Sequence, residues 1–177
     1  MTDLPLRFWT LLLQLPGYAA AHIQEESDPQ CYRITVVPEH RIGVCPSCSN
    51  TVDEVHQTRT REGIHDLPIS QHKVVLKVRV CQFKCPHCAC VFTPGVPFLA
   101  EGAHATERFM ERAAQMIRSS DMANVGVFLG VPEQTLGRWY YDYLQRRQAA
   151  PKQALKPIQR IGIDELSLKK STASSSP

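Results

Sequence analysis

The sequence predicts an α+β fold in which a small β module built around a metal site is followed by a group of helices. The first observation is two Cys-x-x-Cys pairs, with 36 residues between Cys48 of the first pair and Cys85 of the second. The second is that the segments beside them alternate apolar and polar residues, as half-buried strands do. The third is a change after Pro97 to an apolar spacing of about three and a half residues, which indicates helices.

Composition places the chain among ordinary globular proteins. It has 177 residues, of which 43% are hydrophobic and 21% are charged, so the chain as a whole is neither disordered nor a coiled coil. No apolar run approaches the roughly 20 residues that span a bilayer, and no membrane partner is expected. The net charge of +3 permits a nucleic-acid partner without requiring one.

The four paired cysteines, Cys45, Cys48, Cys85 and Cys88, are the candidate metal ligands. Each Cys-x-x-Cys turn can aim two thiolates at one tetrahedral ion, so the two turns together make a four-cysteine zinc site. A proline follows the first cysteine of each pair and restricts the backbone there. We therefore expect one structural Zn²⁺ with a hairpin between the two turns, although the same four thiolates would also suit iron.

Other uses of the cysteines are a redox pair or two disulfides. A redox Cys-x-x-Cys opens a helix after a strand, whereas both pairs here lie among β-like segments. The total of seven cysteines argues against a complete set of disulfides, and we expect Cys31, Cys81 and Cys90 to be small buried side chains. Thiolate zinc sites belong to reducing compartments, so the sequence favours the cytoplasm.

The N-terminal segment tests that expectation, because the apolar residues 8–13, followed closely by three alanines, faintly resemble a secretion signal. Only Arg7 is basic there, and Pro16-Gly17 ends the apolar run early. A short amphipathic helix that ends at a Pro-Gly turn is the better interpretation.

Two strands are predicted near the metal ligands. Residues 31–37 and residues 73–80 each alternate apolar and polar side chains. The polar face of the second strand carries Lys73, Lys77 and Arg79, which would suit a phosphate backbone or plain solvent equally well. This strand leads directly into the second cysteine pair, as a zinc ribbon requires.

Three helices are predicted after residue 98. The first covers roughly residues 105–119, the second begins at one of the polar residues 119–121 and ends at Gly130, and the third begins near Pro132. Their predicted inward side chains are Phe109, Ala113, Met116 and Ile117, then Val125, Phe128 and Leu129, then Leu136, Tyr140, Tyr143 and Leu144.

The last two helices, joined by a turn at Gly130-Val131, indicate a helix-turn-helix. The predicted outward residues of the third helix are Glu133, Gln134, Thr135, Gly137, Arg138 and Tyr141. In a major groove Gln134 can make two hydrogen bonds to adenine and Arg138 two to guanine, while Arg146 and Arg147 suit phosphates. A plain helical hairpin with no DNA partner is the alternative, and Gly137 would then approach another helix.

The C-terminal residues suggest the beginning of another unit. Residues 149–157 have the composition of a linker, and the apolar residues 161–163 then predict a buried strand that delivers Asp164 to a sheet edge. Carboxylates at strand ends commonly build Mg²⁺ sites, although a surface acid that ends a strand is the simpler alternative. Residues 171–177 are small and polar and are predicted to be disordered.

The order of these features resembles the ISL-three family of insertion-sequence transposases. The segments that carry the resemblance are residues 11–17, Cys45-Pro46-Ser47-Cys48, His65-Asp66-Leu67-Pro68, Phe83-Lys84-Cys85-Pro86-His87-Cys88, the helix-turn-helix and Ile161-Gly162-Ile163-Asp164-Glu165. The resemblance covers nearly the whole chain, up to about Lys169.

This resemblance implies an N-terminal zinc module and a helix-turn-helix that recognise transposon ends, followed by a ribonuclease-H-like domain with a metal-binding acidic triad. Asp164 matches the first acid of that triad, which would help to hold Mg²⁺ in a complete catalytic domain. Two-metal phosphoryl transfer needs several carboxylates. Because only the first is reached here, we expect this chain not to be catalytic alone.

We accordingly divide the chain into 1–44, a helix and strand packed on the zinc module; 45–98, the zinc ribbon; 99–148, the helix-turn-helix; 149–157, a linker; and 158–177, the truncated start of a catalytic domain and a disordered tail. The expected function is recognition of terminal inverted repeats on double-stranded DNA, in the bacterial cytoplasm at the nucleoid, with a homo-oligomer allowed. A zinc-dependent transcription regulator without a nuclease and a protein-interaction module are the alternatives.

Overall fold

The computed structural model describes residues 4–27 and 30–149. These residues form a mixed sheet, a small two-stranded sheet and four helices, in agreement with the predicted α+β class. In chain order the elements are α1 (Leu4–Leu13), β1 (Tyr18–Ser27), β2 (Gln30–Pro38), β3 (Gly43–Val44), β4 (Thr51–Val52), β5 (Val55–Ile69), β6 (His72–Lys84), β7 (Val91–Phe92), α2 (Glu107–Ile117), α3 (Met122–Leu129) and α4 (Glu133–Ala149).

A five-stranded sheet lies at the centre of the structure, in the order β1-β2-β6-β5, with β7 paired to the end of β6. β2 and β6 are parallel and the other pairs are antiparallel. Alternate side chains of β2 and β6 form its core, where Ile34, Val36, Leu76 and Val78 are all 0% exposed. Both predicted strands are therefore confirmed, and a hairpin of β5 and β6 fills the gap between the cysteine pairs as expected.

The predicted N-terminal helix is confirmed as α1, which lies against β1. Leu13 and Leu15 are buried with the sheet residues, and the chain turns at Pro16-Gly17 as predicted. The next segment, β1, is a strand that was not predicted, because its run of three alanines lacks the alternation of apolar and polar residues that marks a strand.

The three predicted helices are present as α2, α3 and α4. Thr106 and Asp121 are the N-caps of α2 and α3, and their side-chain oxygens accept hydrogen bonds from the backbone N–H groups of Phe109 and Asn124. Gly130 ends α3 in the left-handed conformation, with φ of 70°. All of these signals are local in the sequence.

Some predicted side-chain directions in α3 and α4 are wrong. Phe128 is 62% exposed, because Val125 and Leu129 are the residues that α3 turns inward. Gly137 is buried rather than outward, since a β-carbon at this position would lie 3.0 Å from Met122 Sδ of α3. Trp139, which was not among the predicted inward residues, is buried, and its ring centre lies 6.0 Å from that of His65.

One buried carboxylate joins the sheet to the helices. Asp66 of β5 is 2% exposed and accepts hydrogen bonds from Thr106 Oγ1 at 2.7 Å and from Arg108 Nε at 2.8 Å, with a further bond from Arg108 Nη2. Arg108 also donates to the backbone oxygen of Leu13 at 2.6 Å. These polar groups therefore connect three segments, namely the end of α1, β5 and the start of α2. They also pair the charge of the buried aspartate.

Residues 150–177, which include the predicted linker and Asp164, lie outside the described residues. Within the described ranges, the helices are all too short or too polar to cross a membrane.

Replacing Asp66 by asparagine should destabilise the fold, because Arg108 would lose its charged partner. Breaking one side of a buried ion pair costs about 3–5 kcal/mol, and since the Arg108 side chain is 34% exposed we expect a value near 3 kcal/mol. Chemical denaturation measures the change. Glu62→Gln, which breaks the exposed pair with Lys77, is the control and should change the free energy of unfolding by less than about 1 kcal/mol. Equal effects of the two substitutions would contradict the assigned role of Asp66.

Two glycines at the α3–α4 contact should respond differently to alanine. A β-carbon at Gly126 would lie 2.7 Å from the backbone oxygen of Val131, whereas one at Gly137 would meet only the flexible end of Met122. Alanine favours a helix over glycine by about 1 kcal/mol. We therefore expect Gly137→Ala to be neutral or stabilising and Gly126→Ala to be destabilising in thermal unfolding. A stable Gly126→Ala variant would show that the turn is less closely packed than described.

Candidate metal centre and nucleic-acid interface

The two cysteine pairs adopt the same turn. The N–H of Ser49 donates to the carbonyl of Cys45, and the N–H of Ala89 donates to that of Cys85, both at 2.9 Å. Ser49 and Ala89 each have φ of 58°, so the chain reverses immediately after the second cysteine of each pair. The repeated geometry indicates two matching zinc knuckles.

The four cysteine sulfurs converge on one point. The Sγ atoms of Cys45, Cys48, Cys85 and Cys88 all lie within 4.8 Å of one another, and the separations Cys45–Cys88 and Cys48–Cys85 are 3.5 Å. A disulfide requires about 2.05 Å, so these thiols are not joined. A tetrahedron of thiolates with zinc–sulfur bonds of 2.3 Å has sulfur–sulfur separations of about 3.8 Å. The donor set therefore fits one structural Zn²⁺.

Electrostatics within the cluster also favour a cation. Burial raises the pKa of the Cys45 thiol, but N–H groups of Ser47 and Cys48 and the neighbouring sulfurs outweigh burial and lower that pKa to about 6. For Cys88 the N–H of Cys90 lowers the pKa, but the three nearby sulfurs and desolvation raise it to about 12. Deprotonation of a second cysteine beside the first thiolate is therefore unfavourable, because the two negative charges repel each other. A divalent ion would offset this repulsion.

Apolar side chains of the ribbon cover the inner half of the cluster. Val52, Phe83 and Phe92 are buried around Cys45 and Cys85, and the two phenylalanine rings stack with centroids 5.7 Å apart. This packing fixes the knuckles against the end of β6.

The other cysteines and the histidine of the second knuckle lie outside the sulfur cluster. Cys31 and Cys81 are buried, as expected for small apolar side chains, while Cys90 is only half-buried. His87 is exposed and is not one of the four converging side chains.

The purified protein should contain one zinc ion per chain, and Cys85→Ser should lose it. Cys90→Ser is the matched control, because Cys90 lies in the same knuckle but outside the sulfur cluster, and it should keep the metal. Acid should also release the ion, since protons compete for the thiolates as the pH falls. Elemental analysis with thiol titration measures both effects. A metal-free, fully oxidised chain would overturn the assignment.

The candidate base-reading residues lie on the first turns of α4. Gln134 and Arg138 are exposed, Tyr141 is 61% exposed and Thr135 is half-buried. The opposite side of α4 packs into the helical core through Leu136, Trp139 and Tyr143. The start of α4 therefore presents a polar surface with an anchored back.

The two arginines near the end of α4 contact other parts of the protein. Arg146 packs its guanidinium against Gly102. Arg147 lies 3.6 Å from Glu111, and its Cζ is 5.2 Å from the centre of the Tyr143 ring. A phosphate at this end of α4 would compete with Glu111 for Arg147.

The basic face predicted on β6 is divided in the structure. Lys73 lies against Gly130 at the turn between α3 and α4, Lys77 pairs with Glu62 at 3.3 Å, and Arg79 is exposed. The three side chains have different neighbours, so the strand does not offer them as one free row.

The segment His65-Asp66-Leu67-Pro68 carries part of the family resemblance, but no functional role is predicted for it from its sequence. In the structure the His65 ring lies near the rings of Phe109 and Trp139, and burial, followed by the charges of Lys73 and His104, lowers its pKa. The signal in the sequence is that Asp66 is a charged residue in a part of β5 where Ile64 and Leu67 are apolar.

These features define a class of protein, namely a four-cysteine zinc ribbon set in a mixed sheet and joined to a helical unit. A family described as the zinc-finger of transposase IS204/IS1001/IS1096/IS1165 matches residues 41–88, which contain the β5–β6 hairpin and all four ligands. Residues 41–88 are thus similar to the zinc finger of those transposases.

The chain is also similar to the transposase for insertion sequence element IS1001 of Bordetella parapertussis. The two are 24% identical over 155 residues, which cover 87% of this chain and 37% of the relative, so the chain spans about 37% of that protein's length. No solved structure matches. Together with the ribbon match, this similarity confirms the resemblance to ISL-three insertion-sequence transposases.

Proposed function

We propose that this chain is the DNA-binding N-terminal part of an insertion-sequence transposase and recognises the terminal inverted repeats of its element. The observation that carries the proposal is the exposed polar start of α4, in a chain that matches such a transposase over 87% of its length. The zinc ribbon supports it, because the same kind of ribbon is found in that class of enzymes.

In this proposal α3 and α4 are a helix-turn-helix. The turn is compact, since the N–H of Val131 donates to the carbonyl of Gly126 at 2.9 Å, and Gly126 has no side chain to hold the helices apart. Gln134 and Arg138 are four residues apart and share the exposed face of α4. In a major groove they would read adenine and guanine, with Thr135 and Tyr141 beside them.

The remaining parts would support this reader. Arg146 and Arg147 would bind phosphates, Arg147 by exchanging Glu111 for the DNA backbone. An element has two inverted ends, so a homo-oligomer would bring one reader to each end. Such a protein would act on chromosomal DNA, in the cytoplasm at the nucleoid.

In this proposal a complete catalytic site would lie outside the residues that bind DNA. Asp164 would be the first acid of a ribonuclease-H-like site and would help to hold Mg²⁺. Strand transfer by two metal ions needs further carboxylates to hold both ions. The isolated chain would therefore bind transposon ends without cleaving them.

Arg138→Ala tests base reading. We expect specific-site binding to weaken by about 1–3 kcal/mol and the preference at one base pair to relax, because a side chain that contacts a base edge carries sequence information. The measurement is a titration of duplexes chosen by selection from a random library, with each base pair of the selected site varied in turn.

Arg147→Ala is the matched control on the same helix. It should weaken all duplexes about equally, since a phosphate contact does not depend on sequence. If Arg138→Ala also weakens all duplexes equally, Arg138 does not read a base. If the unsubstituted protein binds no duplex in a salt-sensitive way, the proposed function fails.

A further inference from the structure

The outer edge of β5 is unusually exposed for a strand in a central sheet. Every residue from His56 to Gly63 is exposed, whereas the following residue, Ile64, is 4% exposed and belongs to the core. A strand in a sheet normally buries one of its faces. Residues 56–63, here called the β5 edge, therefore contribute almost nothing to the core and are available for a partner.

The side chains of the β5 edge suit a polyanion. Its residues are His56, Gln57, Thr58, Arg59, Thr60, Arg61, Glu62 and Gly63. The one acid, Glu62, is neutralised by Lys77 of the neighbouring strand at 3.3 Å. Within the described ranges neither Arg59 nor Arg61 makes an ion pair. Because they are two residues apart, their side chains project from the same face of the strand, about 6.8 Å from each other.

The β5 edge lies close to the end of α4. A groove of about 690 Å³ separates β5, from Thr60 to Ile64, from the loop 99–104. Glu101 of that loop also lines a cavity of about 210 Å³ with Arg146 and Arg147, and Arg146 packs against Gly102. Arg61 of β5 and the two arginines of α4 therefore all border the loop 99–104, which also carries Glu101.

The distance between the β5 edge and α4 determines which part of a bound duplex the β5 edge can contact. From Gln134 to Arg146 the axis of α4 covers about 18 Å, because a helix rises 1.5 Å per residue. Lys73 of β6 lies against Gly130, just before α4, whereas Arg61 and Arg59 pair with Val78 and Val80. These two partners are five and seven residues further along β6, or about 17 and 24 Å from Lys73 at the rise of a β-strand. A duplex read by Gln134 and Arg138 would thus reach the β5 edge only with DNA that flanks the base-specific site.

We propose that the β5 edge, through Arg59 and Arg61, is a second DNA-binding surface that holds the sugar-phosphate backbone next to the site read by α4. This inference rests on the proposed function and names a contact that the helix-turn-helix does not supply. It is a backbone contact, so it adds affinity and salt dependence without adding base preference.

The test compares the double variant Arg59→Gln/Arg61→Gln with the unsubstituted protein on the selected duplex. Each phosphate contact contributes about 0.9 to the slope of log affinity against log salt, so the slope should become shallower by about 2. Base preference should not change. Hydroxyl-radical footprinting should lose backbone protection on one flank only, and a duplex shortened on that flank should bind both proteins alike.

Two control variants distinguish this contact from a non-specific effect of the net charge of the protein. Arg59→Lys/Arg61→Lys keeps the charge and should keep most of the slope. Arg7→Gln/Arg112→Gln removes the same charge from exposed residues of α1 and α2 and should leave the footprint intact. Thermal unfolding should be the same for all variants, because none of the four arginines is buried.

The outcomes distinguish the inference from the function on which it rests. If the unsubstituted protein binds duplex DNA but the Gln variant keeps the same slope and footprint, the β5-edge inference is overturned and the proposed function stands. If the Gln variant changes only the sedimentation coefficient, the edge pairs protein chains rather than DNA, which also overturns it. No binding by the unsubstituted protein overturns both.

Discussion

Four cysteine sulfurs within 4.8 Å of one another are the constraint on which the ribbon depends. β3 and β4 have only two residues each, and the apolar core around them consists of little more than Val52, Phe83 and Phe92. A core of this size cannot hold a 12-residue excursion such as 41–52 in place without a crosslink. A zinc ion bound by both knuckles supplies that crosslink, and it ties the loop to the end of β6.

Strand β6 connects the zinc site to the helices. β6 runs for 13 residues, from His72, which precedes Lys73 at the α3–α4 turn, to Lys84, which precedes the ligand Cys85. This is about 40 Å at the rise of a β-strand. At the helical end Asp66 and Arg108 fix β5 to α2. The zinc ribbon and the α3–α4 turn thus lie near opposite ends of β6.

Much of this arrangement is predictable because its signals are local. Cysteine spacing indicates the metal ligands, the alternation of apolar residues gives β2 and β6, and the αL residue Gly130 ends α3 where the sequence predicts. The errors arise where the deciding contact is distant in sequence. Phe128 is apolar like Leu129, and only the positions of α2 and α4, which both pack against α3, decide which of the two is buried.

The role of Asp66 could not be predicted for the same reason. Its partners Thr106 and Arg108 lie 40 and 42 residues away, and nothing in the local pattern connects them. The pairing of β2 with β6 is also non-local, since parallel strands are joined by long connections whose partners a sequence pattern does not specify. Local rules therefore describe the metal site and the helix ends, while the joints between units need the tertiary structure.

The exposed edge of β5 illustrates how one set of residues can meet two physical demands. An unpaired strand edge offers N–H and C=O groups to any other chain and tends to aggregate unless charges discourage pairing. Arg59 and Arg61 supply that charge, and they leave the edge open to a negatively charged polymer. A protein with an apolar edge here would associate with itself, and one with an acidic edge would repel DNA. Under the proposed function, the basic residues on this edge would discourage self-association and would also attract a DNA backbone.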